Sequence, residues 1–374
     1  MRKVIVVGMF DSSHFVGWLR HFADEDIHFM LFPSSPHRRI QPGLKSLVKS
    51  EKGAIFRFAP AARFMGLPVW LADQLLGNRI RSACLRRLIS NWNPDFVHVL
   101  ELQNAGYIAS RAFDGITGWK PILIATNYGS DIYWFARQDS HRARLVHLLK
   151  KVDRYAAECL RDVELARSLG YRGAVMKVNP NAGGFERTVL DRRAPLPSSK
   201  TLIMVKGYQG WVGRAHIAIA SLEVMAADLK DYEIVFYSCN LSTMFRATRM
   251  AKRTGLRVRA YPKGALSNEE MLDKFSRALV YVGLSLSDGI STSMLEAMAM
   301  GAIPVQTSTS CCDEWFSNTG IAIHDLDPQE VAKGIRAAIK LAVTTDSAAR
   351  NKEIIRSRAS QEVIAEQALS FYTL

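Results

Sequence analysis

Short β-branched runs, each separated from the next by enough chain for a helix, recur in two series along this sequence. The first series reads KVIVVG at 3–8, IHFMLF at 27–32, FVHVL at 96–100 and PILIAT at 121–126. The second reads TLIMVKG at 201–207, YEIVFYS at 232–238, LRVRAYP at 256–262, LVYVGLSL at 279–286 and IPVQT at 303–307. Nearly continuous apolar runs suit strands covered on both faces, so the rhythm predicts βαβ units and parallel sheets. Between the two series, VNPNAGGF at 178–185 has the Pro/Asn/Gly content of a connection. The expected architecture is α/β, with two doubly wound Rossmann-like domains, residues 1–185 and 186–357, facing across a cleft. Ligands of such sheets bind beyond the carboxyl ends of the strands.

The 374 residues exceed what a single core of ordinary size uses, which agrees with two domains. Apolar runs such as KVIVVGMF at 3–10 fall far short of the ~20 residues of a spanning helix. Lys3 passes directly into a strand and no signal peptide is read, so a cytoplasmic location is expected. The five cysteines form neither an even set nor C-x-x-C pairs and are expected to be free thiols. The net charge of +14 is uneven. Residues 1–190 hold 27 Lys/Arg against 16 Asp/Glu, the remainder 22 against 19, and residues 30–99 alone hold 11 against 3. A basic patch on the N-terminal half would attract anionic lipid headgroups, an anionic glycan or nucleic acid. At 76–89, Leu76, Ile80, Cys84 and Leu88 fall at i+4 spacing with Arg79, Arg81 and Arg86 to the sides and Arg87 intruding on the stripe. That pattern predicts a core-facing helix with a basic flank, or alternatively a membrane-surface helix.

The stretch SDGISTSMLEAMAMGAIPV, 287–305, carries the most chemistry. A turn at Gly289 and small hydroxyl residues lead into an Ala/Met-rich helix, expected to begin near Ser293, whose only ionisable residue is Glu296. The free amides of Gly289, Ile290, Ser291 and Thr292, with the positive end of the helix dipole, form an anion site. Glu296 has two readings. Ser293-Met-Leu-Glu296 fits a capping box, in which the carboxylate ties down the helix start; alternatively, a fixed carboxylate suits the vicinal hydroxyls of a sugar. Asp288 is either a turn residue before Gly289 or a second such acceptor.

As a whole the stretch resembles the family-4 (group 1) glycosyltransferases of the GT-B fold, of the type found in bacterial surface polysaccharide synthesis. Those enzymes carry two acids separated by seven residues, then EAM..G.PV and a further glutamate; here these are Asp288, Glu296, EAMAMGAIPV and Glu314. NYGSDI at 127–132, NPNAGG at 179–184 and VKGYQGWVGRA at 205–215 extend the resemblance over most of the chain. It implies an acceptor-binding N-terminal domain, a nucleotide-sugar-binding C-terminal domain, and a C-terminal helix, about 358–374, packed back on the first. It implies a glycosyltransferase of the hexosyltransferase type, retaining and metal-independent. A sugar would pass from a nucleoside-diphosphate sugar, UDP or GDP, to a glycan or lipid-linked acceptor, as in lipopolysaccharide synthesis; the basic N-terminal half adds the expectation of an enzyme peripheral on the inner face of the cell membrane.

By the same resemblance Glu296 holds the ribose hydroxyls, Gly289, Ile290 and Ser291 approach the diphosphate with Thr292 beside them, Asp288 holds the donor sugar, and Glu314 is the trailing donor-side acid. Lys206 and Arg214 clamp the departing diphosphate, the charge of which needs positive partners as the glycosidic bond breaks. No cofactor and no metal are implied. Of two D-x-D matches, Asp24–Asp26 reads as an acidic loop, and Asp327-Pro-Gln-Glu330 reads as an N-cap, a first-turn proline and a capping-box glutamate. Departures from the family pattern are Asp288 for the usual glutamate, Tyr128 where many members have histidine before Gly-Ser-Asp131, and Ser310-Cys311 where Gly-Gly is usual. On the acceptor side, Asp11, Ser13 and His14 follow the first strand, and Glu101 and Gln103 follow FVHVL; Tyr128 and Asp131 complete the set.

Alternative readings are a GT-B epimerase or phosphorylase acting on sugars and a nonenzymatic basic protein binding anionic partners. The basic-protein reading leaves the Asp288/Glu296 spacing unexplained and shows no nucleic-acid motif, phosphorolysis lacks a pyridoxal lysine motif, and a dinucleotide dehydrogenase lacks G-x-G-x-x-G after a strand.

Overall fold

The strand β1 (Arg2–Gly8) is buried from Val4 onward, which requires helices on both faces of its sheet. The computed structural model describes residues 1–35, 40–50, 53–64, 66–181, 183–192 and 195–373, with backbone alone at 63 and 64. Arg38, Arg39 and Lys52 of the basic stretch, and Ala182 of the Pro/Asn/Gly connection, lie outside the described residues. The chain divides into two compact units, Met1–Gly184 with Gln361–Leu374, and Phe185–Ser360.

In the first unit β1 is joined by β2 (Ile27–Pro33), β3 (Ile55–Phe58), β4 (Phe96–Leu100), β5 (Ile122–Thr126), β6 (Arg154–Ala156) and β7 (Ala174–Val175). The order is β3-β2-β1-β4-β5-β6-β7 with every pair parallel. Alternation along β1 sends Ile5 and Val7 into a core with Leu85, Ile108 and Leu148, and Val4 and Val6 into another with Trp18, Phe22 and Tyr372. The helix Gln361–Leu369 belongs to this unit and delivers Phe371 and Tyr372, both fully buried. The Tyr372 hydroxyl lies 2.8 Å from His98 Nδ1 and accepts from Trp18 Nε1 at 3.4 Å. Burial pushes the His98 imidazole down to about 3, so it is neutral there.

In the second unit the strands are β8 (Leu202–Lys206), the short hairpin pair β9 (Gln209–Gly210) and β10 (Gly213–Arg214), β11 (Glu233–Cys239), β12 (Arg257–Pro262), β13 (Ala278–Gly283), β14 (Ile303–Thr307) and β15 (Ile321–Ile323). The main sheet runs β12-β11-β8-β13-β14-β15, all parallel. Both sheets therefore reverse their winding once, between β1 and β4 and between β8 and β13. In open α/β sheets those are the ligand-binding positions.

Several expectations shift. The strand expected over 279–286 leaves the sheet at Gly283, because the β9–β10 hairpin captures the next residues: Arg214 N donates to Leu284 O at 2.9 Å, and Leu286 N to Trp211 O at 2.7 Å. The stripe Leu76–Ile80–Cys84–Leu88 is not the buried one. The helix is Arg79–Trp92 and buries Arg81, Ser82, Leu85 and Ile89, while Leu76 precedes it and is half exposed. Asp327 caps its helix as expected, accepting from Gln329 N and Glu330 N, but the Glu330 carboxylate pairs with Lys333 at 2.6 Å. Among the described residues no helix is long and apolar enough to cross a membrane.

Candidate functional site

The switch point of the second unit gathers the donor-side residues. Lys206 ends β8, and Asp288 lies on the loop leaving β13, so the two fall on opposite sides of the crevice where the winding reverses. Lys206 Nζ sits 3.4 Å from Asp288 Oδ2 and 5.7 Å from the centre of the Tyr208 ring. The other Asp288 oxygen accepts from the Gly289 amide at 3.0 Å. Burial alone would lower the Lys206 ammonium; the Asp288 carboxylate, with the Tyr281 and Tyr208 hydroxyls, outweighs it and holds the pKa above its ordinary value. A cation so held stays charged at any working pH.

Past Gly289 and the buried Ile290 the chain turns into the helix Thr292–Ala299. Its N-cap is Ser291, two positions earlier than a capping box at Ser293 requires, and Ser291 makes no side-chain cap bond; its hydroxyl is 3.4 Å from Tyr281 Oη. Glu296 is consequently the fifth helical residue, beyond the reach of the N-cap amide, and the capping-box reading falls. The Glu296 carbonyl accepts from the Met300 amide at 3.1 Å, but its carboxylate takes no hydrogen bond from the described residues. Burial pushes its carboxyl up to about 7, with no cation close enough to bring it back. A half-buried, unpaired carboxyl group is costly to hold, and a ligand donating hydroxyls would relieve that cost.

Arg214 reaches the same end of the sheet through the hairpin, where Gly213 pairs with Gly210 and Arg214 with Gln209. Its Nε is buried and has no hydrogen-bond partner. Gly213 is required there: a Cβ would meet Tyr208 Cβ at 2.4 Å and its carbonyl oxygen at 2.5 Å. Glu314 lies on the short 3-10 turn Cys312–Glu314, and its carbonyl oxygen accepts from Arg358 Nη1 at 2.6 Å. Arg358 also covers the Trp315 ring at 4.1 Å.

The sequence reading missed the tyrosines of this site. Tyr208, Tyr237, Ser238, Pro262, Gly264 and Ser293 line a cavity of about 160 Å³ at the carboxyl ends of β8, β11 and β12. The Tyr237 hydroxyl is buried beside Ser293 and Tyr281 without a hydrogen bond of ordinary geometry to either. Tyr208 lay inside the quoted VKGYQGWVGRA, two residues past the strand end, and that position was the available signal.

In the first unit Asp11, Ser13 and His14 are exposed at the carboxyl end of β1, where Ser13 opens the helix Ser13–Arg20 and Ser12 caps it. The His14 ring lies 6.2 Å from that of Tyr128. Glu101 is turned inward. It is strained at φ 108 and accepts from Ser34 Oγ at 2.6 Å, and burial raises its carboxyl. Asp131 is buried too, its Oδ2 receiving the Leu102 amide at 2.7 Å and the Tyr128 amide at 3.1 Å. Burial, reinforced by Glu101, raises Asp131 well above the usual carboxylate range. Gln103 donates to the Asp131 carbonyl at 2.7 Å. Asp131 thus ties the Tyr128-Gly-Ser loop to the β4 exit; His14 is exposed, whereas the Tyr128 ring is half-buried and its hydroxyl is buried without a hydrogen-bond partner among the described residues.

No family model and no curated protein matches the chain. Solved structures do. The chain is similar to the N-terminal domain of Candida albicans trehalose-6-phosphate phosphatase, at 12% identity and TM-score 0.71, covering 100% of this chain and 97% of that one. It is similar to Anabaena HepE in complex with UDP and glucose, at 13% identity and TM-score 0.69, covering 99% of each chain. A glycosyltransferase from Rickettsia africae matches at 12% identity and TM-score 0.70, covering 99% of this chain and 97% of that one. This chain has the GT-B fold. At such identities the likeness carries architecture alone. In this GT-B chain the switch point of the second unit holds Lys206 beside Asp288 and the Gly289 amide.

Proposed function

We propose that the chain is a retaining, metal-independent glycosyltransferase that moves a sugar from a nucleoside-diphosphate sugar to a glycan or lipid-linked acceptor. The observation that carries the reading is the Lys206–Asp288 pair set beside the Gly289 amide and the start of the helix Thr292–Ala299. A diphosphate at that helix start takes Lys206 as its counter-ion, releasing the Asp288 carboxylate for the hydroxyls of the donor sugar. Glu296, unpaired before binding, receives the ribose hydroxyls. The cavity between Tyr208 and Tyr237 is lined as a planar base requires. HepE, a structural neighbour, is known in complex with UDP and with UDP-glucose, which favours UDP as the nucleotide here.

In the proposed step the bond between the anomeric carbon and the diphosphate oxygen breaks, and a bond to the acceptor oxygen forms on the same face. The acceptor proton passes to the departing phosphate, so no separate general base is needed. Lys206 and Arg214 stabilise the charge that grows on the leaving group. On the acceptor side Asp11, Ser13, His14 and Tyr128 make direct contacts, with Glu101 and Asp131 as positioning residues. The sequence resemblance supports the family-4 type and a role in surface polysaccharide synthesis, and the basic N-terminal half supports a place at the inner face of a membrane.

The test is hydrolysis and transfer with a panel of UDP- and GDP-sugars, with and without EDTA, for the native chain and Lys206→Ala. We expect turnover of at least one donor, unchanged by EDTA, and a loss of roughly 10²–10³ in kcat for the variant, as for removal of a single preorganised transition-state donor. Absence of nucleotide binding, or turnover abolished by EDTA, contradicts the proposal.

A further inference from the structure

The nine-residue helix Leu67–Leu75 is turned inside out. The one residue it buries is Asp73, while Leu67, Leu71 and Leu75, at i+4 spacing, are 50%, 51% and 90% exposed, and the following Leu76 is 50% exposed. The inward face has a clear cause. Asp73 Oδ1 accepts from the Ile80 amide at 2.7 Å and the Arg81 amide at 3.3 Å, starting the next helix, and Oδ2 pairs with the buried Arg81 Nε at 2.5 Å. The outward face has none among the described residues, since each leucine withdrawn from water is favourable and none of those residues covers them.

Gly77, directly after these leucines, lies on the rim of a cavity of about 820 Å³ in the same unit. Arg86, Arg111 and Arg144 line it. Arg111 donates to the Gly77 carbonyl at 2.9 Å, and Arg144 stacks 3.7 Å above the Tyr107 ring. The cavity's one acid, Asp114, is already paired, with Lys151 Nζ at 2.6 Å and His147 at 3.1 Å. Exposed Arg79 and Arg87 extend the positive charge along the helix that follows the leucines.

We infer that this leucine face and its arginine cavity are a docking surface for an anionic lipid bilayer, the leucines entering the interface and a phosphate headgroup occupying the cavity. Charge complementarity selects this occupant: apolar side chains beside a ring of arginines fit acyl chains beneath phosphates. A second copy fits less well. Two-fold pairing through this face would set the same arginines against each other, and a few hundred Å² of leucine falls short of the ~800 Å² per partner that a stable dimer uses. The inference locates the membrane contact of the function proposed above, but rests on none of its sugar chemistry.

The test is flotation of the full chain with vesicles of phosphatidylcholine alone or with added phosphatidylglycerol, for the native protein, Leu71→Ser/Leu75→Ser and Arg86→Ala/Arg144→Ala. All four positions are on the surface; thermal melting checks each variant, and the arginine pair decides if the leucine pair melts early. The native chain is expected to bind the anionic vesicles at least tenfold more than the neutral ones, and each variant to lose at least tenfold of that binding. UDP titrations of the same proteins should be unaltered, so a failure of the nucleotide reading is seen separately. No binding by the native chain, equal binding to neutral vesicles, or variants that bind like native would overturn the inference. A concentration-dependent dimer abolished by the leucine pair would overturn it in favour of self-association.

Discussion

Glu296 is the residue whose chemistry is most exposed to test. Its carboxyl, raised to about 7 by burial, keeps a proton in the folded chain that the unfolded chain releases near 4.5. The folded state thus binds more protons across that interval, so this group's contribution to stability falls as pH rises from about 4.5 to about 7 and stays low above it. Glu296→Gln removes the slope, and by the linkage between pKa and free energy it should raise stability above pH 7 by up to about 3 kcal/mol. Denaturant melts at pH 5 and pH 8 check this, with the native chain losing stability between them and the variant losing less. The same variant should bind UDP at least tenfold more weakly, because a charged acceptor for the ribose is gone. Gain in one measurement and loss in the other is the signature of a site that holds strain for its ligand. In the sequence, Glu296 had two readings because Ser293-Met-Leu-Glu296 spells a capping box; Ser291 as the actual N-cap decided between them, a two-residue shift that periodicity does not resolve.

At the scale of elements, the β9–β10 hairpin is the device that brings Arg214 to the site and draws Leu284–Leu286 out of the sheet. Gly213→Val places a branched side chain into Tyr208 and should displace Arg214. We expect turnover to fall at least tenfold while the melting temperature moves by only a few degrees, since the core strands are untouched; equal losses in both would show the hairpin to be part of the core instead. The C-terminal element is the opposite case. Removing residues 370–374 takes away Phe371 and Tyr372, two buried aromatics of the kind whose truncation costs ~3–5 kcal/mol each, and breaks the contact to His98. Thermal melting should show a clear loss of stability, and an unchanged midpoint would contradict the packing described. The long buried strands were legible in the sequence because they are apolar over five to seven residues. β3, β6, β7 and β15 were not, having two to four residues each and polar members such as Arg57 and Arg154. The helix Leu67–Leu75 escaped for another reason: Asp73 turns inward to take the Ile80 and Arg81 amides and the Arg81 side chain, which leaves the leucines outside.

For the whole molecule, two sheets with the same winding put Lys206, Arg214, Asp288 and Glu296 at one switch point of the second unit or on the elements leaving it, while Glu314 follows the neighbouring strand β14. Alternating runs made the α/β class and the domain pair readable, and the GT-B likeness agrees with them. The tyrosine cavity and the inward turn of Glu101 and Asp131 depend on packing between segments far apart in the chain, which local spacing does not encode. The proposed function stands or falls on whether the reversal between β8 and β13 receives a nucleoside diphosphate. Its most direct test is a crystal of the chain soaked with UDP. A diphosphate is expected within hydrogen-bond reach of the Gly289 amide and Lys206 Nζ, with the ribose on Glu296. A diphosphate bound elsewhere, or a site left empty at millimolar UDP, would contradict it.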